Sequence, residues 1–195
     1  MQMLQMKNVF VLAVLLLLVS CQQHYSPKPR GYFRIDLPEK SYTAFSYDFP
    51  FIFDVPDYGY FLPDTRAVAQ PYWANISFPA FRANIHLTYR PINSRTQLES
   101  YLSDAHTFVV RHIPKASGIE EELMKDFERR VFGQMYYIKG HDVASSVQFF
   151  VTDSVNHFLR GSLYFNVTPN NDSLAPVIHF LKEDVRRIMH TIRWE

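Results

Sequence analysis

The side chains with the greatest capacity for chemistry in this 195-residue sequence are eight histidines and one cysteine. The histidines are scattered over predicted strands, turns and helices, without the close helical spacing of a metal site. His141 with Asp142, and Asp153 with Ser154 and His157, each suggest part of a catalytic triad. Both groups fall in predicted hairpin turns, where Asp and Ser are common for conformational reasons. The sequence therefore predicts no metal, no cofactor and no enzyme; a hydrolase would require a Ser, a His and an Asp to converge in space.

The cysteine, Cys21, follows an apolar segment at the N-terminus. Lys7 precedes an eleven-residue apolar run over 9–19, and the letters LVSC end at Cys21. A membrane-spanning helix takes about 20 apolar residues, so this run is more typical of a secretory signal peptide than of an anchor or a core helix. LVSC resembles the bacterial lipobox, in which the cysteine is acylated and becomes the first residue. We predict a lipoprotein signal peptide over 1–20 and lipid attachment, palmitate included, at Cys21.

The charge composition restricts the class of partner. The chain has 20 Lys and Arg against 19 Asp and Glu, without a basic stripe, so nucleic-acid binding is not expected. Loss of Lys7 with the signal peptide would leave 19 basic residues beside 19 acidic ones. The membrane contact is therefore expected through lipid rather than through charge.

The segment that follows Cys21 combines prolines with apolar side chains. Three prolines and a glycine in residues 22–38 favour extended structure. One interpretation of residues 22–38 is a plain spacer. The apolar side chains in these residues instead indicate a segment that lies along the domain or faces a partner. We choose Arg30, Tyr32 and Arg34 as the predicted partner surface. The predicted organisation is a tether and extended edge segment over 21–45, then one domain over 46–195.

Apolar periodicity predicts the elements of that domain. Period-two alternation predicts strands over 47–55, 75–78 and 84–89, and an antiparallel meander over 131–138, 146–152 and 158–167. One helix begins after Ser94, with Gln97 completing a capping box, and ends before Pro114. A second is capped within 171–173 and runs to Ile192, with Glu183 and Arg187 at ion-pair spacing.

Two stretches are less regular. Residues 57–71 contain a glycine and two prolines and are predicted to form a long loop, whereas residues 120–128 fit a helix or a weak strand. The elements together predict an α+β fold with a largely antiparallel sheet covered by helices. Their order is also similar to a Mog1/PsbP-like sandwich, a fold found in accessory subunits of assemblies.

Tyr72 and Trp73 are the aromatic residues that could line a groove for an acyl chain or a carbohydrate. Phe78 and Phe81 follow them in the sequence. In a domain built from a sheet and helices, most such rings belong to the core. A ligand pocket at Tyr72 and Trp73 is therefore the alternative to a partner-binding role.

Several blocks of the mature chain resemble one family, the gliding-motility lipoproteins of the GldD type. The blocks are YSPKPRGYFRIDLP at 25–38, ANISFP at 74–79, VQFFVTDS at 147–154, HFLRGSLYF at 157–165, and residues 176–194. They cover nearly all of the mature chain in the same order. None is a catalytic signature.

The resemblance implies a non-enzymatic envelope lipoprotein that is required for surface gliding and linked to type IX protein secretion. The expected partners are the membrane, through the lipid on Cys21, and envelope proteins of motility and secretion. No acidic run follows Cys21, where the sequence is QQH, so a periplasm-facing position is preferred. The function predicted from the sequence is an assembly or scaffold factor; the alternative is a periplasmic lipid- or glycan-binding module.

Overall fold

The computed structural model describes residues 35–45 and 47–195. The helices are α1 (Arg95–Val110) and α2 (Asn171–Thr191). The strands are β1 (Tyr42–Ala44), β2 (Phe51–Ile52), β3 (Asp54–Pro56), β4 (Tyr60–Pro63), β5 (Ala74–Phe78), β6 (Ala83–Pro91), β7 (Gly118–Asp126), β8 (Val131–Lys139), β9 (Val147–Thr152), β10 (His157–Phe165) and β11 (Arg193–Trp194).

Seven of these strands form an antiparallel sheet in the order β4-β5-β6-β10-β9-β8-β7. The meander β8-β9-β10 forms as the sequence predicts, and β10 also pairs along its whole length with β6. Two small antiparallel pairs, β1 with β3 and β2 with β11, tie the N-terminal strands to each other and to the C-terminus. The predicted α+β class with a largely antiparallel sheet is confirmed.

The main core lies between one face of the sheet and helix α2. Alternate residues of β6 (Ala83, Ile85, Leu87 and Tyr89) are buried on this face, as their alternation predicts. Helix α2 contributes a continuous apolar stripe, and phenylalanines from the N-terminal strands complete the cluster. The opposite face of the sheet is covered by α1, which buries Ala105 and Val109 against strands β8, β9 and β10.

The prediction of one continuous strand over 47–55 is wrong. Residues 47–50 are not in a strand, and the rest divides into β2 and β3, which pair with different partners. Phe51, Phe53 and Val55 are nevertheless all buried on the core side, as the alternation indicated. Pro50, which lacks a backbone donor, immediately precedes the first of the two short strands.

The loop predicted over 57–71 is interrupted by β4, which pairs with β5 at the edge of the sheet. Phe61 of β4 is buried and its ring stacks on Phe45 at 4.2 Å between centroids. Residues 120–128, which fitted helix or strand, contribute to edge strand β7. Its outward charges, Glu121 and Lys125 among them, are typical of an edge that resists pairing with another chain.

The helix ends differ slightly from the predicted ones. Ser94 caps α1 by accepting a hydrogen bond from the Gln97 amide at 3.2 Å, while the Gln97 side chain accepts from the Asn93 amide. Helix α2 is capped by Asn170 rather than by residues 171–173.

The predicted pair of Glu183 with Arg187 does not form. Glu183 pairs with Arg186 at 2.5 Å, and Arg187 reaches Asp54 at 2.6 Å. Arg187 therefore links α2 to β3 rather than stabilising its own helix, because a tertiary partner lies within its reach.

Candidate partner-binding segment and its attachment

Four of the residues singled out from the sequence, Cys21, Arg30, Tyr32 and Arg34, lie outside the described residues. The described part of the chain begins directly after them, at Ile35. Residues 35–39 are all exposed, among them Ile35 at 36% and Leu37 at 39% of their surface. The apolar side chains nearest to the predicted partner surface are therefore open to solvent rather than buried on the domain.

Lys40 attaches the chain to helix α2. The Lys40 ammonium lies 2.5 Å from a carboxylate oxygen of Asp184 in α2 and donates to the Phe180 carbonyl oxygen at 2.8 Å. It also lies 3.4 Å from the centroid of the Phe180 ring. Such a contact of an ammonium with an aromatic face is favourable when the site is partly removed from water.

Two tyrosines complete the contact, and we call Lys40, Tyr42, Tyr58 and Asp184 the latch. The Tyr42 hydroxyl donates to Asp184 at 2.8 Å, and the Tyr58 hydroxyl, 2.7 Å from both carboxylate oxygens, donates its one proton to this carboxylate. Asp184 itself is fully buried, with 0% exposure. A carboxylate removed from water is stable only when charged and hydrogen-bonded partners replace the solvent, and the latch supplies both.

Burial shifts the pKa of three latch residues, Lys40, Tyr42 and Tyr58. It lowers the pKa of the Lys40 ammonium, an effect that the nearby Asp184 opposes. Burial and the hydrogen bonds to Asp184 raise the pKa of the Tyr42 and Tyr58 hydroxyls. Both phenols therefore keep their protons at physiological pH and act as donors. With its lone pairs directed at these donors, Asp184 holds the segment in place and is poorly placed to act as a base.

The latch was not predicted from the sequence, although α2 carried a signal for it. Asp184 lies three residues after Leu181 and four before Ile188, within the apolar stripe of the helix. A carboxylate at that position must find a buried partner. The identity of the partner could not be read from the sequence, because Lys40 is 144 residues away.

The aromatic residues Tyr72 and Trp73 are neighbours in sequence, but their rings make different contacts. The Tyr72 ring packs against Phe49 and Tyr89, at 5.5 and 5.8 Å between centroids, on the side of the main core. The Trp73 indole donates to the Tyr89 carbonyl oxygen at 3.2 Å. It lines a groove of about 140 Å³ beside α1, which we call the α1 groove. Phe78 is buried in the core, and Phe81 packs on Tyr58 and Phe180.

The Asp, Ser and His groups considered for catalysis serve as turn and packing residues. One carboxylate oxygen of Asp153 accepts from the backbone amides of residues 155, 156 and 157. Burial opposes ionisation there, but these bonds keep the pKa of Asp153 below its usual value. The His157 ring stacks on Trp194 and contacts the Tyr89 hydroxyl at 2.8 Å.

His141 contacts Asp172 at 2.9 Å, beside the start of α2. Within residues 35–45 and 47–195, no group of three or more His, Cys, Asp or Glu side chains is placed to hold a metal ion. The helices in the same part of the chain include none long and apolar enough to cross a membrane.

Comparison with known proteins identifies the family. A family model described as gliding motility lipoprotein GldD matches residues 22–194. The chain belongs to this family. The match confirms the resemblance seen in the sequence blocks, and a lipoprotein family implies an envelope protein that is anchored to the membrane by lipid. No match was found among curated proteins.

Among solved structures, the chain is similar to the cyanobacterial PsbP protein (CyanoP) of Synechocystis sp. PCC 6803, determined in solution. The TM-score is 0.44 with 10% sequence identity, over 87% of this chain and 100% of that chain. A likeness this weak carries no conclusion about function, which rests on the family match and on the geometry of the chain itself.

Proposed function

We propose that this member of the GldD family is a non-enzymatic assembly or scaffold factor of the gliding machinery, linked to type IX secretion. In this proposal Cys21 carries the lipid, and the body of the protein faces the periplasm. Residues 25–38, with Arg30, Tyr32 and Arg34, contact envelope proteins of motility and secretion. No cofactor is required.

The observation that carries this proposal is that residues 35–39 are exposed although the latch, directly after them, is attached to the domain. The latch fixes the chain to α2 at Lys40, yet Ile35 and Leu37, a few residues earlier, remain exposed. Tyr32 and Phe33 come just before these two residues in the sequence, and a contiguous apolar surface supports a contact with another protein. An anchored protein that presents such a surface can bring partners together without performing a reaction.

The alternative, a periplasmic lipid- or glycan-binding module, has weaker support. Pockets for small ligands typically enclose roughly 300–1,000 Å³. The α1 groove beside Trp73 holds about 140 Å³, and Tyr72 lies outside it. A whole acyl chain or an oligosaccharide would extend well beyond this space.

The proposal is tested by replacing Arg30, Tyr32 and Arg34 together with alanine in the natural host. We expect loss of gliding and reduced export of secreted cargo, because the partner surface is removed. The amount of lipoprotein and its thermal unfolding should not change, since none of these residues belongs to the latch.

A matched control replaces three exposed residues of the α1 side, Arg95, His106 and Lys115, with alanine. This variant should glide normally. Normal gliding of the first variant, or equal loss of gliding in both, would contradict the choice of residues 25–38 as the partner surface.

A further inference from the structure

The α1 groove lies on the face of the sheet opposite the main core, where α1 covers only part of the strands. It runs between α1 and the exposed side of β6 and β10. Its wall is aromatic and its polar groups are two arginines and a threonine. The lining residues are Trp73, Thr88, Arg90, Tyr101, Phe108, Phe158 and Arg160.

Arg160, near the middle of β10, has a guanidinium without a carboxylate partner among the described residues. One of its nitrogens donates to the Gln148 side-chain oxygen at 2.9 Å, and the group lies 4.1 Å from the centroid of the Phe108 ring. Arginine has five N–H donors, and the described residues accept a hydrogen bond from one of these in Arg160. Burial lowers the pKa of Arg160 and the nearby Arg90 adds to this effect, whereas Asp104 opposes it.

Gln148 fixes the direction of this guanidinium. Gln148 is buried opposite Ser162 in the β9–β10 pair, and its oxygen is directed at Arg160. Its amide nitrogen and the Ser162 hydroxyl are buried, and neither has a hydrogen-bond partner in the described part of the chain. Buried polar groups normally have hydrogen-bond partners. Gln148 and Ser162 therefore place more polar atoms in this part of the sheet than the stability of the fold requires.

Arg90 supplies a second positive charge to the same groove. Its guanidinium lies 5.0 Å from the centroid of Tyr101 and reaches Asp104 at 3.5 Å, at the limit of an ion pair. Two guanidinium groups therefore face one small groove, with a single carboxylate at its edge. The site has a net positive charge in a protein that is close to neutral overall.

We propose that the α1 groove binds the carboxylate of a partner polypeptide, a C-terminal or acidic side-chain carboxylate beside an apolar side chain. The guanidinium of Arg160 pairs with a planar carboxylate through two parallel hydrogen bonds. The aromatic wall accepts the neighbouring apolar group. A volume of about 140 Å³ suits such an end group, and Asp104 at the edge favours a monoanion over a doubly charged phosphate.

The inference goes beyond the scaffold role, since it assigns a binding site to the α1 groove. It can be tested on the purified lipidated chain without any motility protein. The probe is N-acetylphenylalanine, which carries a carboxylate beside an aromatic ring. N-acetylphenylalaninamide has the same shape without the charge. The chain has two tryptophans, Trp73 in the groove and Trp194 on the opposite side of the sheet, so their indole N–H signals in NMR report binding and provide an internal control.

We expect the carboxylate probe to shift the Trp73 signal and leave Trp194 unchanged, and the amide to have no effect. Arg160→Gln should weaken binding roughly tenfold or more, because a charge-assisted hydrogen bond is lost. Should that variant fold poorly, Arg90→Gln is used and should weaken binding several-fold. Arg193→Gln, in a separate cleft with Arg129 and Arg130, should bind normally.

Four results would overturn the proposal. The first is an unmoved Trp73 signal at saturating carboxylate probe. The second is an equal response to the amide, and the third is unchanged affinity in the arginine variant. The fourth is a response to inorganic phosphate as strong as that to the carboxylate, which would assign the groove to a phosphate group.

Discussion

At the scale of single residues, Asp184 is the least typical side chain of the fold. It is a fully buried carboxyl group within the apolar stripe of α2, and the side chains of Lys40, Tyr42 and Tyr58 contact it. Its partners differ from it in sequence position by 126 to 144 residues. This carboxyl group is therefore one of the contacts that connect the two ends of the domain, together with the β2–β11 pair.

Replacing this carboxylate by its neutral isostere tests the latch. Asp184→Asn keeps the shape but leaves the Lys40 ammonium without a counterion in a partly buried site. We expect the free energy of unfolding to fall by about 2–3 kcal/mol. Urea denaturation of the purified chain, followed by tryptophan fluorescence, measures it.

The matched control is Asp54→Asn, which removes the ion pair of Asp54 with Arg187. That pair is more exposed, with half of the Arg187 side chain open to solvent, so its loss should cost less than about 1 kcal/mol. Equal costs for the two variants would show that the latch is no more stabilising than a surface ion pair.

At the scale of elements, β10 is the central strand of the sheet and depends on Gly161. Gly161 lies directly opposite Phe149 of β9. A Cβ atom added at Gly161 would come within 2.1 Å of the Phe149 ring. The ring lies over the glycine and is itself buried in the core, so it cannot move aside without disturbing its neighbours.

Gly161→Ala should therefore lower the free energy of unfolding by about 1–3 kcal/mol, as expected for overpacking a filled core. Thermal unfolding measured by circular dichroism would report the change. Gly118→Ala is the control, because nothing lies within 4 Å of an added Cβ at the start of β7. A Gly161 variant as stable as the Gly118 variant would mean that Phe149 has an alternative position.

Elements whose pattern is local were predicted well. The alternation in β6 and β10, the apolar stripe of α2 and the cap at Ser94 all depend on residues adjacent in sequence or one turn apart. Strand β4 was missed because its four residues follow Gly59, end at Pro63 and show no alternation. Their pairing with β5 and the stacking of Phe61 on Phe45, both tertiary contacts, determine their structure.

The candidate site was less predictable than the elements. The exposed apolar residues 35 and 37 continue the segment chosen from the sequence, but the latch and the α1 groove each combine residues distant in sequence. Tyr72 and Trp73 were paired because they are adjacent, whereas positive φ at Tyr72 and the hydrogen bond of the Trp73 indole turn their rings to different surroundings. Two residues that are adjacent in an irregular segment do not necessarily direct their side chains to the same surroundings.

At the scale of the whole molecule, we propose a lipid-anchored domain whose N-terminal segment is presented to partners and fixed at Lys40. Lipid on Cys21 would hold the protein at a membrane, since attached acyl chains contribute about 0.8 kcal/mol per buried CH₂. The segment between the anchor and the latch is then close to the membrane and to other envelope proteins. The central claim is that this segment is the contact surface.

The most direct test is a photo-crosslinker placed at Leu37 in the lipidated protein in living cells, with mass spectrometry of the products. The matched control carries the same crosslinker at Arg95, which is exposed at the start of α1. We predict reproducible crosslinks from residue 37 to envelope proteins of motility or secretion, and none of these from residue 95. Recovery of the uncrosslinked protein alone from residue 37, or the same products from both positions, would contradict the claim that this segment is the contact surface.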